Sequence, residues 1–130
     1  MSGVDFWSRR NWLTFAGAGG FFAVAAGAFA THGMTNDPRA QELLRTGALY
    51  GFMHCLATFA AAGVMQLGGR RARLAPAFFL GGVLLFSGSL FALAFGAPRW
   101  VGIVTPFGGL SFLAGWAILA WAARGVDPAT

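Results

Sequence analysis

Charged residues are scarce in this chain of 130 residues, where they make up 10% of the total and only four are Asp or Glu. Soluble proteins carry about 25% charged residues, and acid–base catalysis by carboxylates needs two acids at one site. The sequence offers no such pair and no glycine-rich loop after a strand. Its single cysteine, Cys55, excludes an intrachain disulfide and a cysteine metal cluster. We therefore expect no enzyme activity, no metal site and no cofactor.

Long apolar runs make up most of the chain. Four of them lack Asp, Glu, Lys and Arg, and each has roughly the 20 residues that cross a hydrocarbon core. They predict an all-α membrane protein, in which residues 1–130 form one domain of four transmembrane helices in a compact up-down bundle. The predicted helices are 12–31, 40–67, 74–95 and 102–123. The second starts ahead of its apolar part because Asp37-Pro38 suits a helix start.

Arginine placement predicts the orientation of these helices. Six arginines fall on one side of the alternating spans: Arg9, Arg10, Arg70, Arg71, Arg73 and Arg124. The other side has three, Arg39, Arg45 and Arg99, which are partly offset by Asp37 and Glu42. Arginine-rich short loops stay in the cytoplasm, so both termini are predicted inside, in a bacterial inner membrane. No basic stripe interleaved with aromatics is present, and we expect no nucleic-acid partner.

An export signal is the competing interpretation of the N-terminal region. Arg9-Arg10 followed by an apolar run resembles a twin-arginine signal, and Ala28-Phe29-Ala30 resembles a cleavage site. The run is longer than the apolar part of a typical signal peptide, and the rest of the chain is itself apolar. We therefore expect Arg9 and Arg10 to anchor the first helix at the cytoplasmic side.

Small residues recur at spacings that let membrane helices approach closely. The positions predicted to pack against other helices are Gly19, Ala23, Gly27, Gly47, Gly51, Gly88, Gly96, Gly108 and Gly109. The pattern favours a tight bundle. It leaves open whether the partner helices belong to the same chain, to a second copy or to a larger membrane complex.

The second helix carries the most unusual polar pattern. Thr46, Tyr50, His54 and Thr58 follow at four-residue spacing and so form a ladder on one face. An ionisable residue inside a membrane span is by default a functional candidate. Three interpretations remain: a neutral His54 hydrogen-bonded within the bundle, a proton or ligand site, and metal or haem ligation. The first is favoured because a neutral imidazole can both donate and accept.

Further polar candidates lie on the other helices. Ser87, Ser89 and Thr105 are predicted at depths that overlap Tyr50 and His54, so a shared polar pocket in the outer half of the membrane is one expectation. Hydroxyls that bond to their own or a neighbouring backbone are the alternative. His32 ends the first helix, where an interfacial cap is favoured. Haem binding by His32 and His54 is unattractive because the two lie at different depths.

Four ordered motifs resemble a known family. They are Gly27-Ala28-Phe29-Ala30-Thr31-His32-Gly33, then Tyr50 with His54, then Phe86-Ser87-Gly88-Ser89-Leu90-Phe91, and Thr105-Pro106-Phe107-Gly108-Gly109 through Gly115-Trp116. Together they resemble domain of unknown function 423, a family of small bacterial inner-membrane proteins similar to the eukaryotic transmembrane protein 256. The resemblance implies four transmembrane helices and no assigned activity. This chain departs from the family pattern at Ala30, Thr31 and Phe91.

These observations lead to two functional hypotheses. The favoured one is a non-enzymatic structural, assembly or interaction subunit that acts through helix packing in the lipid bilayer. The alternative is binding or permeation of a proton, a small ion or a quinone-like ligand at a polar pocket around His54.

Overall fold

Four long helices make up almost all of the protein. The structure is a computed structural model that describes residues 6–128. Each helical segment is long and apolar enough to cross a membrane, so the predicted all-α membrane fold with four transmembrane helices is confirmed. The helices are α1 (Arg9–Gly33), α2 (Pro38–Gln66), α3 (Ala75–Ala94) and α4 (Val104–Ala123). Short 3-10 turns, Arg70–Leu74 and Arg99–Ile103, lead into α3 and α4.

Local sequence signals explain where the helices begin and end. The Ser8 hydroxyl accepts a hydrogen bond from the Asn11 amide at 3.2 Å and caps α1. Asp37 caps α2 in the same way through the Ala40 amide at 3.1 Å, and Pro38 opens that helix as predicted. Gly96 has a φ of +100° just after α3. It therefore serves in the left-handed turn that ends the helix, and it does not pack between helices.

The helices pack in chain order, with α2 at the centre. α1 packs on α2, α2 on α3, and α3 on α4, whereas α1 and α4 make no contact within residues 6–128. This sequential packing gives the up-down bundle, with the start of α1 and the end of α4 at the same end. That end also holds the 3-10 turn Arg70–Leu74 and a core cluster of Ala57, Ala61, Ala72, Ala75, Phe79, Leu119 and Ala122.

Glycines on the inner faces allow the helices to approach closely. A Cβ added at Gly108 would lie 2.5 Å from the Phe86 backbone nitrogen, so α4 meets the α3 backbone at this point. Gly19 lies against the Cys55 sulfur. The nearest neighbours of Gly47 and Gly51 belong to α3. Gly27 is in ordinary van der Waals contact with Ala48 of α2. Ala23 is 4% exposed.

Other glycines depart from the sequence-based expectation. Gly88 and Gly109 were predicted to pack between helices, but a Cβ at either would meet nothing within 4 Å. Gly82 and Gly115 were not singled out, yet they accommodate the rings of Phe112 and Phe79. The rotation of each helix about its axis could not be read from the sequence. The spans are apolar all round, so the spacing of glycines alone does not show which side of a helix faces inward.

Candidate functional site

His54 lies between α2, α3 and α4 with only 3% of its surface exposed. Its Nδ1 is 2.7 Å from the Tyr50 carbonyl oxygen, one turn earlier on α2. Its Nε2 is 3.0 Å from the indole Nε1 of Trp116 on α4. A carbonyl only accepts and an indole N–H only donates, so Nδ1 carries the proton and Nε2 accepts. Both ring nitrogens of a neutral His54 are therefore satisfied by the protein itself.

Aromatic rings enclose the imidazole. The Phe112 ring stacks on it, with 3.5 Å between ring centroids and 7° between planes. Phe79 contributes a tilted ring at 5.7 Å, and Trp116 meets the imidazole edge-on at 6.0 Å. These rings cover much of the imidazole, which also borders a groove between α2 and α4. His54 is thus held in an aromatic contact between three helices.

The rest of the ladder on α2 splits between core and surface. The Thr58 hydroxyl is fully buried and donates to the His54 carbonyl at 3.0 Å, so it bonds within its own helix. Thr46 and Tyr50, together with His54, line an open groove of about 410 Å³ between α2 and α4, with Phe86, Gly109 and Trp116 on the other walls. Tyr50 is 39% exposed there.

The hydroxyls of α3 make separate bonds. Ser87 donates to the Gly47 carbonyl of α2 at 2.6 Å. Ser89 pairs with Thr105 of α4 and also donates to the Phe86 carbonyl at 3.0 Å. Thr105 lies two turns before Phe112, about 10 Å along the helix. The structure therefore distributes Ser87, Ser89, Thr105 and His54 over three contacts and does not bring them together in one pocket.

His32 is placed away from these contacts. It is exposed in the last turn of α1. Within residues 6–128 no group of three or more His, Cys, Asp or Glu side chains is arranged to hold a metal ion. His54 also has both ring nitrogens engaged, so neither histidine forms part of a ligand cluster in the described part of the chain.

Sequence reasoning missed the partner of His54. Trp116 lies within the fourth span, where an indole N–H surrounded by hydrocarbon needs an acceptor. An imidazole nitrogen on a neighbouring helix is a suitable acceptor. A comparison of the depths of His54 and Trp116 in the membrane could therefore have suggested this pair. Ser111, which donates to the Phe78 carbonyl at 2.7 Å, and Gln41, which donates to the Ala30 carbonyl at 2.8 Å, were also missed.

The four spans and the aromatic contact around His54 define a small multi-pass membrane protein whose polar groups are largely used between its own helices. A family model described as "Protein of unknown function (DUF423)" matches residues 26–109, and the chain belongs to this family. The resemblance noted in the sequence is therefore confirmed.

Relatives in several bacteria cover most of the chain. A "UPF0382 membrane protein" of Haemophilus influenzae is 42% identical over 115 residues, covering 87% of this chain and 93% of the relative. The "UPF0382 inner membrane protein YgdD" of Escherichia coli K12 is 41% identical over 118 residues, covering 86% and 88%. YwdK of Bacillus subtilis is 31% identical over 105 residues, covering 78% and 85%. With the four spans, these names identify an inner-membrane protein. No solved structure matches the chain.

Proposed function

We propose that the protein is a non-enzymatic interaction subunit, which binds a transmembrane helix of a second protein or of a second copy. The observation that carries this proposal is a set of outward-facing glycines without a neighbour. A Cβ at Gly81 or Gly88 of α3 would meet nothing within 4 Å. Glycine costs about 1 kcal/mol relative to alanine inside a helix, and in membranes it permits close helix contact. These positions are suited to a helix from outside the fold.

Their surroundings form a groove between α1 and α3. Gly81 lines a cavity of about 580 Å³ whose floor includes Gly19 and Cys55. Gly88 lines an adjoining cavity of about 210 Å³ that also includes Gly19. The walls are almost entirely apolar, so van der Waals contact would provide most of the binding energy. The hydrogen bonding of His54 supports the same proposal, because both ring nitrogens are bonded to groups of its own chain.

The test is the assembly state in native membrane. Protein extracted with its lipid into polymer-bounded discs is expected to contain a second copy or a defined membrane partner by mass analysis. Gly81→Leu with Gly88→Leu fills the groove and should remove that partner. Gly63→Leu adds the same side chain at one glycine of α2 that also has open space, outside the groove, and should leave the assembly intact. A strictly monomeric wild type without a co-purifying protein contradicts the proposal.

A second candidate is small-molecule binding or permeation along the groove between α2 and α4. The specific observation is Tyr50, which is 39% exposed on this groove. Its phenol could donate a hydrogen bond to a quinone-like carbonyl. Tyr50→Phe should weaken quinone binding in proteoliposomes, and His54→Ala tests permeation of protons or small ions. A flux unaffected by His54→Ala removes His54 from any transport mechanism.

A further inference from the structure

A cleft of about 710 Å³ opens at the end of the bundle where α1 begins and α2 ends. Its walls combine positive charge with apolar surface. Four arginines line it together with Gln66, and Met65, Leu74 and Trp121 supply the apolar part. We call it the arginine cleft, after Arg9, Arg70, Arg71 and Arg73.

The turn that carries three of these arginines is anchored on both sides. Ala72 is fully buried and lies between the exposed Arg71 and Arg73. The Gly69 amide donates to the Val64 carbonyl at 2.9 Å, and the Ala72 amide donates to the Gly69 carbonyl at 3.0 Å. The arginines therefore project from a positioned 3-10 turn, which lowers the entropy cost of binding a ligand.

A close approach to α4 and to the C-terminal segment adds to this anchoring. A Cβ at Gly69 would lie 2.7 Å from the Ala122 carbonyl oxygen, so only glycine allows the turn to sit this close to α4. The Asp127 amide donates to the Leu67 carbonyl at 3.2 Å. The cleft is thus a built part of the fold at the junction of three chain segments.

The charges in the cleft are not neutralised by its walls. The Arg71 guanidinium lies 4.4 Å from the centroid of the Trp121 ring, a cation–π contact that keeps its charge. Arg70 and Arg73 are exposed. Among residues 6–128, no carboxylate is part of the lining of the cleft. The cleft is therefore suited to an anion.

The geometry points to a binding site for the headgroup of an anionic phospholipid. The guanidinium fork matches the oxygens of a phosphate diester, and the cleft lies at the ends of membrane spans, at headgroup depth. Leu74 and Met65 offer apolar contact to the glycerol and the first part of the acyl chains. A soluble phosphate would use the arginines alone. If the arginines only set the orientation of the helices in the membrane, they would not need to line one cleft beside a tryptophan.

Titration of the purified full chain in a zwitterionic detergent with phosphatidylglycerol, followed by native mass spectrometry, tests this inference. Arg70→Gln with Arg73→Gln should weaken phosphatidylglycerol binding about tenfold or more. Arg10→Gln with Arg124→Gln removes the same charge from the same end of the bundle, outside the cleft walls. This control should stay within about threefold of wild type, because screening weakens charges outside the cleft. Equal losses in both variants would overturn the inference.

Two further arms separate headgroup recognition from other causes. Arg70→Lys with Arg73→Lys keeps the charges but loses the guanidinium fork, so its binding should lie between those of wild type and the glutamine variant. Recovery of binding by lysine shows that the loss in the glutamine variant is not misfolding. Phosphatidylcholine should bind no more weakly to the glutamine variant than to wild type. Displacement of phosphatidylglycerol by glycerol phosphate at equal concentration would assign the cleft to a soluble phosphate and overturn the lipid assignment.

Discussion

The indole Nε1–H of Trp116 donates a hydrogen bond to Nε2 of His54 across 3.0 Å, and so joins α4 to α2 inside the membrane span. These two helices otherwise touch little, because α3 packs on both of them. The bond occupies the imidazole acceptor, while the Tyr50 carbonyl occupies the donor. The ionisable group that sequence reasoning nominated for function is thereby used in helix association.

Trp116→Phe should destabilise the bundle by about 1 kcal/mol, because it leaves the buried Nε2 of His54 without a donor. Reversible unfolding in bicelles gives this difference. Trp100→Phe is the matched control, since Trp100 is 65% exposed outside the bundle core and its change should have little effect. In a His54→Ala background, Trp116→Phe should cost less than in wild type. Equal costs in both backgrounds would show that the two residues are not coupled.

The hydrogen bonds of His54 predict its tautomer. Solid-state NMR of protein with ¹⁵N-labelled histidine should show a protonated Nδ1 and an unprotonated Nε2 for the buried ring. The signal of His54 can be assigned by its loss in His54→Ala, which leaves the exposed His32. Trp116→Phe should shift the Nε2 resonance because its donor is gone. A protonated Nε2 in wild type would contradict the structure.

Gly108 and Gly109 are neighbours that should respond differently to alanine. Gly108→Ala places a methyl group 2.5 Å from the Phe86 backbone nitrogen, so α3 and α4 must separate. We expect a loss of about 1–3 kcal/mol in the free energy of unfolding. Gly109→Ala meets open space and should be neutral or stabilise by up to about 1 kcal/mol through helix propensity. Thermal unfolding in detergent measures both, and similar losses would count against this packing.

Arginine placement predicts that both termini of the chain face the cytoplasm, and single cysteines can test this. Cys55 is 2% exposed and should not react with a membrane-impermeant maleimide. Asn36→Cys, in the connection between α1 and α2, should be labelled in intact spheroplasts. Asp127→Cys should be labelled only after the membrane is opened. The reverse pattern would show that the protein has the opposite orientation.

The number, type and approximate bounds of the helices could be predicted from the sequence. A run of about 20 residues without charge can span a membrane as a helix, and Asp37-Pro38 marks a helix start through its own chemistry. The rotation of each helix about its axis could not be predicted. Ser87 and Phe86 differ by about 100° around α3, and no polar stripe indicates that Ser87 faces Gly47 of α2 while Phe86 contacts Phe112 of α4.

The candidate site was predictable only in part for the same reason. The four-residue spacing placed Thr46, Tyr50, His54 and Thr58 on one face of α2. It did not show which neighbouring helix that face contacts. The hydroxyls of Ser89 and Thr105 pair with each other near the end of α3 and the start of α4. Depth alone did not separate this pair from His54, because depth carries no information about the side of the helix.

The contact between α1 and α2 has a mechanical consequence. Ala16, Ala23 and Ala30 recur every seven residues on the buried face of α1, so methyl groups form most of its seam. Such small side chains allow the two helices to pack closely. They interdigitate little, however, so they oppose sliding along the helix axis only weakly. The seam is not uniform along its length. The large, buried Trp12 lies at one end, and Gln41 of α2 donates a hydrogen bond to the Ala30 carbonyl at the other. We expect the bulk of Trp12 and this hydrogen bond to limit sliding of α1 along α2, and so to fix the depth of the first span beside its neighbour.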